Sequence, residues 1–86
     1  MHTVELLEQA LAAAQAIGLK VRQDWLGGTD TGWCEIKGQK CIFLDVAQSP
    51  ADQLGPVLDA LRGDPRLSRI DLPAGLATVL QVRRSA

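Results

Sequence analysis

The sequence predicts an α+β fold: a helix, then a three-stranded antiparallel sheet, then two helices packed on that sheet. Two observations predict it, because the apolar residues near both ends of the chain recur at helical spacing and a glycine-marked hairpin separates them. We expect the 86 residues to form one small domain, with residues 83–86 as a frayed tail. Hydrophobic residues make up 47% of the chain and aromatic residues only 3%, so the core should be aliphatic.

The first helix is predicted over residues 4–17, with Thr3 as its N-cap and Gly18 as the residue that ends it. Residues 19–26 alternate apolar with polar and charged side chains, which predicts a strand with one solvated face. The glycine-rich loop at 27–32 leads into a strand, whereas phosphate-binding loops lead into a helix. We therefore interpret it as an ordinary turn.

Residues 33–46 are predicted to form a β-hairpin, and two registers compete for it. A type II′ turn with Gly38 first pairs Cys34 with Phe43 and suits glycine, although it sets two lysines opposite each other. A type I′ turn centred one residue earlier pairs Cys34 with Cys41 but requires a lysine at positive φ. We favour the type II′ register.

The two faces of the hairpin are the same in both registers, because these differ by two residues. One face carries Cys34, Ile36, Cys41 and Phe43, and the other carries Trp33, Glu35, Ile42, Leu44 and Val46. Helices on one side of the sheet alone would leave Trp33, Ile42 and Leu44 in water. We therefore expect either the C-terminal segment or a second copy of the chain to cover that face.

The second helix has the strongest start signal in the chain. Ser49 is the predicted N-cap, Pro50 occupies the first helical position and Asp52 lies in the first turn. Its buried stripe is predicted to be Leu54, Val57, Leu58 and Leu61. Pro56 should bend or delay this helix. The last helix follows Pro73, with the apolar residues Leu72, Leu76, Val79 and Leu80 at helical spacing.

Composition and charge argue against several classes of function. A net charge of -1, with two tryptophans and one phenylalanine, supplies neither the field nor the stacking platforms that nucleic-acid binding requires. No apolar run approaches a membrane span and the first residues do not resemble an export signal, so we expect a cytoplasmic protein that does not bind membranes. His2 is the only histidine, and we predict no metal, no cofactor and no enzymatic activity.

Four interaction residues and two redox residues remain as candidates. Trp25 and Trp33 flank the glycine loop, and with Ile42 and Leu44 they are the residues that we expect to contact a partner. Cys34 and Cys41 share one hairpin face, where a direct pair could close a labile disulfide and a diagonal pair could not. We therefore expect a non-catalytic interaction or assembly module, as a homodimer or with another protein. The alternative is a thiol-dependent redox or small-ligand protein.

The element order resembles that of small uncharacterised bacterial proteins with a Gly-Gly-x-Cys hairpin. The residues that carry this resemblance are Gly27-Gly28, Gly32-Trp33-Cys34, residues 41–44 and residues 54–61. The order is also remotely similar to the core of the ImmA/IrrE-type metallopeptidases, in which a strand leads into a helix bearing His-Glu-x-x-His. Residues 52–59 contain neither histidine nor glutamate, so no peptidase residue carries over.

Overall fold

The computed structural model describes residues 3–25 and 31–81, and it confirms an α+β fold with three α-helices and a three-stranded sheet. In chain order the elements are α1 (Thr3–Ala16), β1 (Lys20–Asp24), β2 (Gly32–Ile36), β3 (Gln39–Asp45), α2 (Pro50–Leu61), a 3-10 helix (Pro65–Arg69) and α3 (Ala74–Leu80). The 3-10 helix was not predicted. The tail predicted at residues 83–86 and most of the glycine loop lie outside the described residues.

The sheet is mixed, and the prediction of a purely antiparallel sheet is wrong. β3 lies in the centre, parallel to β1 and antiparallel to β2, so that β1 and β2 are not neighbours. The central position of β3 follows from its sequence, which is apolar on both faces at residues 41–44. Such a strand suits the centre of a sheet, whereas the polar and charged side chains of β1 suit an edge.

The hairpin adopts the type I′ register, so the preference for type II′ is wrong. Cys34 is paired with Cys41 and Glu35 with Lys40. Lys37 and Gly38 form the turn, with φ angles of 51° and 79°. A lysine tolerates the left-handed conformation at a cost of about 1–2 kcal/mol. This register also replaces the opposition of two lysines by a pair of opposite charges.

The turn predicts opposite effects for two neighbouring substitutions. Lys37→Asn creates the Asn-Gly pair that type I′ turns prefer and should raise the free energy of unfolding by about 0.5–1 kcal/mol. Gly38→Ala should lower it by about 1 kcal/mol, because alanine is strained at this φ. Urea denaturation of both variants measures the two changes. A neutral Lys37→Asn variant would contradict a turn in which residue 37 is left-handed.

The helix ends that position the sheet follow the sequence signals closely. Gly18, at a φ of 97°, ends α1, and the next N–H donates back to the Ala14 carbonyl at 2.9 Å. Ser49 caps α2, with its Oγ accepting from the Asp52 N–H at 3.3 Å. α2 runs without interruption through Pro56 to Leu61, so the proline does not delay the helix.

The helices form one layer, against the face of the sheet that bears Ile42 and Leu44. These side chains are 0% and 2% exposed. On the same face of β3, the Lys40 Nζ reaches the Ala60 carbonyl of α2 at 3.0 Å. α3 contacts α1 and so joins the helical layer. The other buried hydrophobic residues are Leu7, Ala10, Ala13, Ala14, Ile17, Leu19, Val57, Leu58, Ala60, Leu61, Leu67, Leu72, Leu76, Ala77 and Leu80.

The Cα atoms extend over only 15 Å along the thinnest direction, which is the thickness of two layers, a sheet and the helices above it. The C-terminal helix therefore does not form a third layer on the opposite side. The expectation that Ile42 and Leu44 lie on the face needing a cover is corrected, because that face is the one the helices bury.

Candidate functional site

The candidate site is the outer face of the sheet, on the side away from the helices. Strand register brings six side chains together there: Lys20 and Arg22 of β1, Cys34 and Ile36 of β2, and Cys41 and Phe43 of β3. Residues that pair directly across neighbouring strands lie on the same face of a sheet, and so do alternate residues of one strand, so these six side chains share one face. Together they make an apolar and thiol-bearing surface with one basic edge.

Exposure distinguishes the outer face from the core. Ile36 is 55% exposed, and the side chains of Cys34, Cys41 and Phe43 are partly exposed. Lys20 and Arg22 are exposed at the β1 edge. A central strand such as β3 ordinarily buries both faces when both are apolar. In β3 the outer-face residues Cys41 and Phe43 are partly exposed, whereas Ile42 and Leu44 on the helix-facing side are buried.

Cys34 and Cys41 lie directly opposite each other across the hairpin, and both are free thiols. Cys41 lies on the central strand, where its Sγ is 3.9 Å from the Gln39 carbonyl oxygen. Cys34 lies on β2, at the edge of the sheet. The structure thus brings the two sequence-predicted thiols together as a direct pair.

The two tryptophans occupy different places and are not brought together by the sheet. Trp25 follows β1 and is 74% exposed, with its backbone N–H bonded to the Asp24 carboxylate. Trp33 is 41% exposed and shares the helix-facing side of the sheet with Ile42. The Lys40 Nζ lies 5.1 Å from the centre of the Trp33 ring, a cation–π distance.

A cluster of three charges joins the hairpin to the end of α2. We call Lys40, Asp64 and Arg66 the Asp64 cluster. The Asp64 side chain, only 3% exposed, lies 2.7 Å from the Arg66 Nη2 and 3.5 Å from the Lys40 Nζ. It also caps the 3-10 helix by accepting from the Arg66 backbone N–H at 2.9 Å.

The pKa values in the Asp64 cluster show that its charges stabilise one another. Hydrogen bonds from the Arg66 side chain hold the pKa of Asp64 well below its ordinary 3.8, although burial opposes this shift. The Asp64 carboxylate in turn raises the pKa of Arg66. A carboxylate held ionised by two cations is a poor general base. Its ion pairs and hydrogen bonds join the hairpin to the 3-10 helix.

The Asp64 cluster was not predicted from the sequence. The signal was present in part, since Asp64-Pro65 repeats the pattern of a capping residue followed by proline that marks Ser49-Pro50. The contact with Lys40 depends on a distant hairpin and has no local signal.

A second polar group closes the opposite end of β3 around the buried residues Thr31 and Asp45. The Thr31 Oγ1 accepts from the Asp45 N–H at 2.9 Å, and its own N–H donates to the Gln48 Oε1 at 3.0 Å. The Gln53 amide donates to the Asp45 carbonyl at 2.8 Å. These bonds join the residue before β2 to the end of β3 and to the turn and helix that follow, and they leave this buried polar group satisfied within the fold.

A shallow cleft of about 140 Å³ lies beside the end of α1, lined by Ala16, Ile17, Arg66, Arg69 and Ile70. Its volume is below the roughly 300 Å³ at which pockets for drug-sized ligands begin. Among the described residues no group of three or more metal-ligating side chains comes together. Within the same ranges, no helix is both long and apolar enough to cross a membrane.

Comparison with known proteins found no matching family model, no matching curated protein and no matching solved structure. The two resemblances drawn from the element order therefore stay predictions.

Proposed function

We propose that this chain is a non-catalytic assembly module that pairs with a second copy of itself through the outer face of its sheet. The observation that supports this proposal is the apolar surface on the outer face, where Ile36 is exposed and Phe43 is partly exposed, in a protein only two layers thick. Covering such a surface removes apolar area from water and so favours association.

The charges along β1 favour a second copy as the occupant. Lys20 and Asp24 stand at opposite ends of the same face of this strand. A two-fold interface is self-complementary, and a face that carries both a cation and a carboxylate can supply both members of the ion pairs across such an interface. Arg22 is exposed between them on the edge strand. The stem of an arginine can cover apolar surface while its guanidinium stays in water.

The small size of the face limits the affinity that we expect. Three strands of about five residues offer roughly 240 Å² in projection. A standard interface buries about 800 Å² of accessible surface on each partner. We therefore expect a weak, concentration-dependent dimer, with a dissociation constant in the micromolar to millimolar range rather than the nanomolar range.

Ile36→Glu is the sharpest test, because it places a charge at the most exposed apolar position of the outer face. In reductant, the wild-type mass should rise from 9.2 kDa toward twice that value between about 10 μM and 1 mM protein. The variant should stay at the monomer mass, since a buried unpaired charge opposes association. Sedimentation equilibrium measures both masses.

Val4→Glu is the matched control, because Val4 is 50% exposed but lies on α1, in the helical layer. This variant should dimerise as the wild type does. Circular dichroism of all three proteins establishes that each is folded. A wild-type chain that stays monomeric at the highest concentration contradicts the proposal, and so does an Ile36→Glu variant that still dimerises.

A further inference from the structure

The register of the hairpin gives the two thiols a geometry that a disulfide can adopt. Ile36 and Gln39 close the two-residue turn as a hydrogen-bonded pair, and such pairs alternate along an antiparallel ladder. Cys34 and Cys41, two residues further on, are therefore again a hydrogen-bonded pair with Cα atoms about 5.5 Å apart. Disulfides span Cα distances of about 4.4–6.8 Å.

We propose that Cys34 and Cys41 form a reversible redox site that closes to an intramolecular disulfide by exchange with a low-molecular-weight disulfide, such as oxidised glutathione. One thiolate attacks a sulfur of the small disulfide, forms a mixed disulfide and releases one small thiolate. The second cysteine thiolate then attacks the cysteine sulfur of that mixed disulfide and releases the other small thiolate. The protein loses two electrons and two protons, and oxidised glutathione is reduced to two glutathione molecules.

Two features favour a disulfide that forms and is reduced reversibly over a permanent structural disulfide. Both thiols lie on the outer face and are partly exposed, so that a small disulfide can reach them. Directly opposed residues of two strands have Cβ atoms about 4.5–5.5 Å apart, and hydrogen-bonded pairs such as this one have the larger separations. A relaxed disulfide holds the two Cβ atoms at about 3.5–4.5 Å. Closure must therefore draw the strands together, and a strained disulfide is easily reduced.

This redox site is independent of self-association, because the pair lies within one chain. Oxidation nevertheless alters the surface between Ile36 and Phe43, since it replaces two thiol groups by one covalent bridge. The experiment is therefore performed on dilute protein, at about 5 μM, below the concentrations at which we expect the outer face to pair.

Trypsin offers a direct readout because it cleaves after Lys37 and Lys40, between the two cysteines. The folded chain is incubated with excess oxidised glutathione, blocked with an alkylating reagent and digested. We expect residues 23–37 and 41–62 to appear as one linked peptide that separates on reduction. The number of free thiols per chain should fall from two to zero, and no glutathione should remain attached to the protein. Dithiothreitol should restore both thiols.

The matched control is the double variant Cys34→Ser with Ile36→Cys. It keeps two thiols on the outer face but sets them diagonally across the hairpin, at roughly 7–8 Å, which is too far for an unstrained bridge. Ile36 is exposed, so the substitution does not disturb the core. We expect this variant to carry two glutathione adducts instead of a linked peptide.

Any of three results on the wild type overturns the proposal: two glutathione adducts, a bridge between two chains in place of the internal one, or thiols that react only after denaturation. The diagonal variant forming the internal bridge as readily as the wild type overturns it too, because the direct pairing would then be irrelevant. If the wild-type chain forms the internal disulfide but does not dimerise, only the proposed function is contradicted.

Discussion

Ile42→Ala should be among the most destabilising single substitutions in this chain. Ile42 is 0% exposed at the centre of the sheet, between the strands and the helices. Truncating a fully buried isoleucine leaves a cavity and costs about 2–5 kcal/mol. An 86-residue domain has a total free energy of unfolding of only about 4–13 kcal/mol. Thermal denaturation should show a Tm lowered by more than about 10 °C.

Ile36→Ala is the matched control, since it makes the same chemical change on the other face of the same hairpin. With 55% of the side chain exposed, the loss should stay below about 1 kcal/mol. A large gap between the two isoleucines supports the assignment of Ile42 to the core and Ile36 to the outer face. Equal losses, or a larger loss at Ile36, would show that the helices cover the opposite face.

Asp64→Ala should be the most destabilising substitution of a charged residue. It removes the cap of the 3-10 helix, and it deprives Lys40 and Arg66 of their shared buried counter-ion. Loss of a cap costs about 1 kcal/mol, and the loss of hydrogen bonds to a buried carboxylate adds to it. Because both cations retain some contact with water, we expect a total of about 2–3 kcal/mol by urea denaturation.

Asp59→Ala provides the control for Asp64→Ala. Asp59 also accepts a hydrogen bond from an arginine, Arg62, at 3.0 Å, but both side chains are largely exposed. Exposed ion pairs of this kind contribute less than about 1 kcal/mol. A loss at Asp59 that matches the loss at Asp64 would indicate that burial of the Asp64 cluster contributes nothing.

The pH dependence of stability follows from the depressed pKa of Asp64. Its folded pKa lies well below 3.8, so the folded state binds fewer protons than the unfolded state as the pH falls. The stabilisation from Asp64 is thus fully present above the unfolded pKa, near 4, and is lost as the pH falls toward the folded value. Wild-type stability should decline between about pH 5 and pH 2 more steeply than that of Asp64→Ala. Parallel profiles would contradict this.

Local signals in the sequence located the helices and the hairpin. The Ser49-Pro50 start and the Gly18 end of α1 depend on neighbouring residues and backbone sterics alone, whereas the same reasoning favoured the wrong register for the hairpin turn. The assignment of Cys34 and Cys41 to one face of the hairpin, and of Ile42 and Leu44 to the other, is confirmed. It does not depend on the register, because the two registers differ by an even number of residues.

Non-local relationships were beyond local reasoning. The direction of β1 relative to β3 could not be predicted, because the parallel β1–β3 pair has no sequence signature of its own. The face that the helices bury could not be chosen, because β3 is apolar on both. For the same reason Ile42 and Leu44 were predicted to contact a partner, although they lie in the core. Ile36 and Phe43, on the outer face, were not predicted as interaction residues.

The most direct test of the proposed assembly is an NMR dilution series of the ¹⁵N-labelled chain in reductant, which reports each backbone amide as the concentration changes. If the outer face pairs two copies, the amides of Lys20, Cys34, Ile36 and Phe43 should shift with concentration along one binding curve. The amides around Val4 on α1 should stay fixed. Shifts confined to the helical layer, or no shifts at any concentration, would contradict self-association through the outer face.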